Sequence, residues 1–440
     1  MDFAAPVDPA RATGLLADAV RTAEADHVDV ALLARAGEYT RFAGDRVHQP
    51  QDITEQQVVV RAVVDGHAAR AATSALDRVP DAVRRATALA RGLARTAAAP
   101  GSAWTPRHHD TDDHLLWHDD TAAFDAPARI AIAAEAMTRA RRAGSTAAGM
   151  VGRAVTQLAV ASSTGALRHA VATEATGSLT VGDRDGSAHW ANLHRSRDAL
   201  GLDAETVADT VARAVRTRGR EPLPHGTYTV VLGPEATGEL LGFLGVLGFD
   251  GGLAGAGVGA ATTPGRRVAS DLVTVADDAS HPFGLPIPFD VLGTSKAVVP
   301  LITAGLVGGP VTDRTGHAHV AREAVPSPVA ANVVMGPGAE RDLVAGVANG
   351  LFVERFWYTR LVDRRTGTIT GVSRDACFRI MDGELADPVR GARFTQSVLD
   401  LLATVDGVGD VVRAQPVMNV WNGSVTAPAI RAHGFRFGPR

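Results

Sequence analysis

The chain has little of what most often marks a disulfide framework, a thiolate metal site or a nucleic-acid surface. Cys377 is the only cysteine among 440 residues, which excludes an intrachain disulfide and any zinc site built from several thiolates, and fits a reducing compartment. Lys296 is the only lysine, and 44 Lys and Arg residues are outnumbered by 48 Asp and Glu, for a formal charge of −4. No basic field awaits nucleic acid. The one long apolar stretch, Leu240 to Ala261, is broken by eight glycines and Asp250; it makes a poor spanning helix and is expected to pack within the fold. The first residues, MDFAAPVDPARATG, are acidic early and carry no apolar h-region, so neither a secretory signal nor a lipid anchor is expected and the cytoplasm is the default location.

What is present is the composition of a globular protein. Apolar residues make up 45% and charged residues 21%, far from a disordered profile. A chain of 440 residues exceeds the ~250–300 at which single cores stop growing, so two or more domains are expected.

Hydrophobic periodicity gives the order of elements. A helix is expected over 8–25 and a strand over 27–33, followed by paired strands over 38–47 and 54–64 and a helix over 79–98. Residues 99–122 (APGSAWTPRHHDTDDHLLWHDDTA) are polar and rich in Pro, Asp and His, and read as a linker or exposed loop. Then come a helix over 125–142, strands over 155–161, 168–174 and 177–182, and a helix over 203–217 with Asp203 as its N-cap. The run GTYTVVL, Gly226 to Leu232, is a strong strand feeding Pro234 and a helix, and short strands with Gly, Pro and Asp turns follow to the end. The expected fold class is α+β: an N-terminal α/β portion followed by a β-rich, barrel- or sandwich-like C-terminal domain. The corresponding division is 1–98, a linker at 99–122, a central domain at 123–220, and 221–440.

Several residue clusters invite a functional reading. His108, His109, His114 and His118 lie among five aspartates, the densest potential metal cluster in the chain. His114 and His118 would share a helix face as in HExxH, but Leu115 stands in the place of the Glu, and a solvated loop is preferred. His317 and His319 could share one face of a strand, with Asp313 and Glu323 nearby; a surface turn is preferred. Gly251 to Ala260 is glycine-rich, yet no GK[ST] follows, so nucleotide binding is rejected in favour of close packing or a flap. Ser162-Ser163 forms no GxSxG elbow, so a serine hydrolase is not supported.

Three stretches, in order, carry a resemblance to a known family. Thr40-Arg41-Phe42-Ala43 with VVVRAVVDG (Val58 to Gly66) resembles the opening of the TldD/PmbA N-terminal domain. HGTYTVVLGPEATGELLGFL (His225 to Leu244) resembles the strand and helix that begin that family's C-terminal domain. Phe289-Asp290-Val291-Leu292-Gly293, MGPG (Met335 to Gly338), NGLFVERFW (Asn349 to Trp357) and MDGELADPVRGARF (Met381 to Phe394) match its later landmarks. The resemblance covers roughly residues 10 to 435.

The resemblance implies a specific departure. Catalytic TldD-type subunits carry HExxxH after this strand, two imidazoles binding zinc while the Glu polarises water. Here the stretch reads Pro234-Glu235-Ala236-Thr237-Gly238-Glu239. Pro234 has no donor atom and Glu239 replaces the second imidazole, while Glu235 stands where the water-activating Glu would and is preferred as a helix N-terminal carboxylate. The family's third ligand is a cysteine near the C-terminus; this chain has Val417 to Gly423, including Trp421, there. Cys377 lies upstream, in SRDACFRI, and reads as a buried structural thiol.

By resemblance, then, this chain is expected to be the zinc-less TldE/PmbA-like subunit of a heterodimeric metallopeptidase. Catalytic residues and a metal are expected to be absent from it, and zinc to reside in a TldD-like partner. Such pairs degrade unfolded peptides or remove leader segments from modified peptides, with the substrate laid as an added strand. Gly251, Gly252, Phe289, Asp290, Gly293, His317 and His319 are the candidates for substrate or partner contact; no nucleic acid or membrane is expected. The alternatives are a non-enzymatic peptide-binding homodimer, or an independent hydrolase in which Glu235, Glu239 and the linker histidines bind metal unconventionally.

Overall fold

The computed structural model describes residues 3–98, 101, 103–106, 109–285, 287–320, 326–414 and 424–438. In the N-terminal part, helix α1 (Pro9–Arg21) leads into strands β1 (His27–Gly44), β2 (Arg46–Val64) and β3 (His67–Thr73), then helix α2 (Val79–Thr96). Asp8 caps α1 by accepting from the Arg11 amide, and Pro80 sits in the first turn of α2, where a missing N–H costs nothing. Strand β4 (Thr111–Leu116), the single turn α3 (Asp119–Ala122), helix α4 (Ala126–Arg142), strands β5 (Thr146–Ser162), β6 (Leu167–Gly182) and β7 (Ser187–His194) and helix α5 (Ala204–Arg216) complete it. The seven strands form one sheet in the order β3-β2-β1-β5-β6-β4, with β7 pairing the later residues of β6, beyond those that pair β4.

The pleat of β1 divides the core. Val28, Val30 and Leu32 face a cluster with Leu16 of α1 and Val83 of α2, and Phe42 on the same face packs under α4. Ala31 and Leu33 point to the other face, where they meet Phe289 and Val291 from the C-terminal part. Two strands expected within residues 27–47 are one. Gly37 weakens the hydrophobic alternation there, but its missing Cβ admits the Tyr39 ring, whose hydroxyl oxygen would lie 2.4 Å from a Cβ at that position.

The segment 99–122 departs from the loop expected of it. Strand β4 pairs parallel to β6, Thr111 opposite Leu167 and Leu116 opposite Ala172, and strands from both sides of the segment share one sheet. Its polarity is the signature of an edge strand whose charges are paired across the ladder.

The C-terminal part opens with β8 (Glu221–Pro222), β9 (Gly226–Leu232), α6 (Pro234–Gly248) and the short α7 (Gly251–Gly255). Strands β10 (Val275–Asp277), β11 (Val299–Thr303), β12 (Leu306–Val307), β13 (Ala318–Val320), β14 (Pro326–Pro328) and β15 (Asn332–Met335) follow. The long hairpin β16 (Asn349–Asp363) and β17 (Thr368–Met381) comes next, then β18 (Glu384–Arg390), β19 (Arg393–Ser397), α8 (Val398–Leu402), β20 (Val405–Ala414) and β21 (Ser424–Phe437). Twelve strands make the second sheet, ordered β12-β11-β10-β15-β21-β9-β16-β17-β18-β8. Strand β19 bonds to both β17 and β21, so β21, β9, β16, β17 and β19 close a ring through the Phe394–Phe437 pair. Phe356, Phe394, Phe435 and Phe437 fill that ring with centroids 4.4 to 5.7 Å apart, each fully buried aromatic contributing about 1.5–3 kcal/mol. An α/β part followed by a β-rich part is thus the architecture observed.

Helix α6 lies on the face of this sheet that presents Val230 and Leu232, burying Leu240, Leu241 and Leu244 completely or nearly so. From Leu240 to Phe249 the apolar stretch therefore packs inside the fold, whereas Gly252 and Gly255 to Gly257 are exposed. No helix among the described residues is long and apolar enough to cross a membrane.

Candidate functional site

The start of α6 is fixed by the strand before it. Parallel pairing of β9 with β16 places Leu232 beside Val353, and the Gly233 amide donates to the Val353 carbonyl at 2.9 Å. A Cβ on Gly233 would approach the Glu354 carbonyl oxygen to 3.2 Å, so glycine suits this close turn. Pro234 then occupies N1 with its φ preset for a helix, and Glu235 sits in the first turn, where the positive end of the dipole favours a carboxylate. Glu239, one turn on, is buried at 2% exposure, and Ala236 and Thr237 are fully buried between them.

These side chains do not fit zinc. A catalytic site needs three protein ligands and an open position. Pro234 offers none, and among the described residues no group of three or more His, Cys, Asp or Glu side chains is placed to hold a metal ion. Cys377 is buried on β17, and burial pushes its thiol up to about 12, the opposite of what a thiolate ligand requires. Val417 to Gly423, with Trp421, lie outside the described residues, as do His108 and Glu323.

The histidines and aspartates of β4 are structural partners. Asp112 accepts from Arg168 Nε at 2.8 Å and from His114 Nε2 at 2.9 Å. Burial opposes its charge, yet the Arg168 and His114 contacts hold the carboxyl below its usual range. Asp113 pairs with His169 Nδ1 at 2.8 Å. His114 lies in a strand and His118 just before α3, so the two share no helix face: the helical spacing is corrected by the β ladder.

Several of the other candidates come together where the two parts meet. Asp290 is 2% exposed and accepts from the amides of Leu292, Thr294 and Ala318 at 2.9 to 3.0 Å. Burial nevertheless pushes its carboxyl up to about 7. His317, beside Ala318, is fully buried with Nε2 3.2 Å from Asp277 Oδ1 and Nδ1 2.9 Å from the Thr315 hydroxyl. Burial also depresses the Lys296 ammonium, against the pull of Asp277 and Asp290. Phe289 is buried under the Arg168 guanidinium at 4.5 Å, and Arg168 Nη1 donates to the Gly293 carbonyl at 2.9 Å. This group binds the C-terminal part to the first sheet. The side chain of His319 is not among those described.

Gly251 and Gly252 begin α7, capped by Asp250, which accepts from the Leu253 amide at 2.9 Å. A Cβ on Gly251 would lie 2.4 Å from the Val311 carbonyl, so this glycine is needed for packing against the neighbouring segment. The two remaining candidates are therefore brought next to the 311–316 turn and away from the start of α6.

A second polar junction was invisible in the sequence. Next to Gly233, Glu354 of β16 pairs with Arg213 of α5 and accepts from the Ala376 amide at 3.3 Å. Burial pushes Glu354 up to about 7 against the attraction of Arg213. Asp375, with φ of 64°, pairs with Arg355, while burial and the Arg355 charge take His189 of β7 down to about 3. Alternation alone marks these strand positions as ordinary; only the non-local packing of α5 and β7 against β16 and β17 joins them.

Residues 225–439 match the family model of the PmbA/TldA metallopeptidase C-terminal domain. A protein described as a metalloprotease from Methanothermobacter thermautotrophicus is 29% identical over 224 residues, which is 46% of this chain and 47% of that protein; the match thus spans about half the relative's length. The crystal structure of TldE from Thermococcus kodakarensis superposes with a TM-score of 0.80 at 17% identity, covering 97% of this chain and all of that one. A Thermotoga maritima protein described as a putative modulator of a DNA gyrase gives 0.76 at 16%, covering 94% of this chain and 96% of that one. The C-terminal part, residues 225–439, thus matches the PmbA/TldA metallopeptidase family, and the whole chain shares the fold of TldE.

Proposed function

We propose that this chain is the zinc-less member of a two-subunit, cytosolic metallopeptidase, holding unfolded peptide while a TldD-like partner supplies zinc and hydrolysis. The observation that carries this reading is the donor set at the start of α6: Pro234 without a ligand atom, and Glu239 buried in the core one turn away. A metal-free Glu235 lacks electrophilic help against an amide carbonyl, so general-base hydrolysis by this chain alone is not supported. Peptide added as a strand satisfies its own backbone, which makes lack of structure the main substrate requirement and fits degradation of unfolded peptides or removal of leader segments.

Co-expression with a TldD-like subunit, followed by size exclusion and a peptide-hydrolysis assay, tests the reading. A mixed complex that cleaves an unstructured peptide, with neither chain doing so alone, is expected. Elution of this chain only by itself, beside a fully active partner, would overturn it.

A further inference from the structure

At the far end of α6 from Glu235, a surface cleft of about 670 Å³ opens between two walls. One wall is the segment 262–271; the other is the tip of the β16–β17 hairpin with the start of α8. Both are held by backbone bonds. Gly265 donates to the Val307 carbonyl and Val307 to the Arg266 carbonyl, at 2.8 and 2.9 Å, and Ser270 donates to Leu402. On the hairpin side, Val398 donates to the Gly367 carbonyl at 3.1 Å, and the Ser397 hydroxyl donates to the Thr366 carbonyl at 2.9 Å. The cleft is therefore formed before anything enters it.

Its charge is uneven. Arg266 stands on one wall and Arg365 on the other, both exposed. No hydrogen bond or ion pair engages either guanidinium among the described residues. Arg267 is occupied by the Ala304 carbonyl at 3.1 Å. Asp271 and Asp400 also line the cleft, but neither forms an ion pair with these arginines. Beneath lies a narrow apolar notch of about 10 Å³, bounded by Phe243, Leu244 and Val398, that shares Gly259, Ala260, Arg365 and Leu399 with the cleft and is too small for a side chain.

We propose that this cleft binds an extended peptide through acidic side chains on alternate residues. Resting on the peptide-holding role above, it gives that role a place and a selectivity. Two guanidiniums on facing walls suit carboxylates on alternate residues of a strand, which project to the same side. The cleft lies about nine residues of helix beyond Glu239, on the order of 13 Å at 1.5 Å per residue.

The test is fluorescence anisotropy of the full-length chain with short unstructured peptides carrying Glu-Val-Glu, Gln-Val-Gln or Lys-Val-Lys. The acidic peptide is expected to bind about tenfold more tightly than the basic one, with affinity falling as salt rises. The double variant Arg266→Glu, Arg365→Glu, altered only at exposed positions, should lose that preference or reverse it while keeping its circular dichroism spectrum and melting temperature. Equal binding of all three peptides, or an acidic preference untouched by the charge reversal, overturns the cleft and leaves the peptide-holding role standing. Binding of none of them removes both.

Discussion

Strand β4 and the first turn of α6 teach opposite lessons about where chemistry resides. Residues 109–120 hold more imidazole and carboxylate than any comparable stretch, yet Asp112, Asp113 and His114 all have protein partners across or along the ladder. The start of α6 offers a proline, Glu235 in its first turn and Glu239 one turn on, yet the matching family region is where catalytic relatives are expected to carry their metal ligands. Density of ligand-type residues marks an ion-paired edge; what matters for hydrolysis is which atoms stand at one backbone position.

That contrast is broken most forcefully at Arg168. Its guanidinium is 4% exposed and joins Asp112 to the Gly293 carbonyl and the Ser295 hydroxyl. Arg168→Ala should cost about 3 kcal/mol by leaving buried acceptors unmatched, measured as a shift in urea denaturation. A loss below about 0.5 kcal/mol, the range of ordinary surface changes, would return β4 to the status of a loose loop.

Glu354 sharpens the α6 side. Its folded value of about 7 stands above the ordinary 4.5, so between those pH values the folded chain binds more protons than the unfolded one. This group's contribution to stability therefore falls as pH rises through that window. Glu354→Gln should remove on the order of 2 kcal/mol of that decline relative to the parent, read from denaturation curves at pH 5 and pH 8. An unchanged slope would mean that Arg213 keeps the carboxylate charged throughout.

At the small end, Asp113→Asn should change stability by no more than about 0.5 kcal/mol. Its carboxylate is 76% exposed despite the contact with His169. His114→Ala combined with His118→Ala should leave the metal content of the purified chain unchanged by elemental analysis. A fall would restore the metal reading of the histidine segment.

Much of the architecture was legible from local pattern. The helices at 79–96, 126–142 and 204–216 and the strand at 226–232 follow from periodicity and caps, Asp203 included: its side chain accepts from the Thr206 amide. Gly37 hid the continuity of β1, because a missing side chain looks like a break in sequence and is a fit in the sheet. The polarity of 111–116 hid β4, since an edge strand satisfied by ion pairs lacks apolar alternation. The Glu354–Arg213 pair was not legible at all: residues 141 positions apart in the chain meet only through packing of α5 against the second sheet, while Arg355 and Asp375, 20 positions apart, meet across the β16–β17 hairpin. Asp290 and His317 were singled out, but as surface contacts; burial at the junction of the two parts is a property of the fold that no short window carries.

Zinc content is the most direct test of the central claim. The chain is purified without chelators and supplied with zinc, then measured alone and in complex with a TldD-like subunit. The account predicts substoichiometric zinc on the chain alone and, in the complex, a zinc content set by the partner and unchanged by Glu235→Ala or Glu239→Ala here. One tightly held zinc per chain, lost in the Glu235→Ala variant, would contradict it.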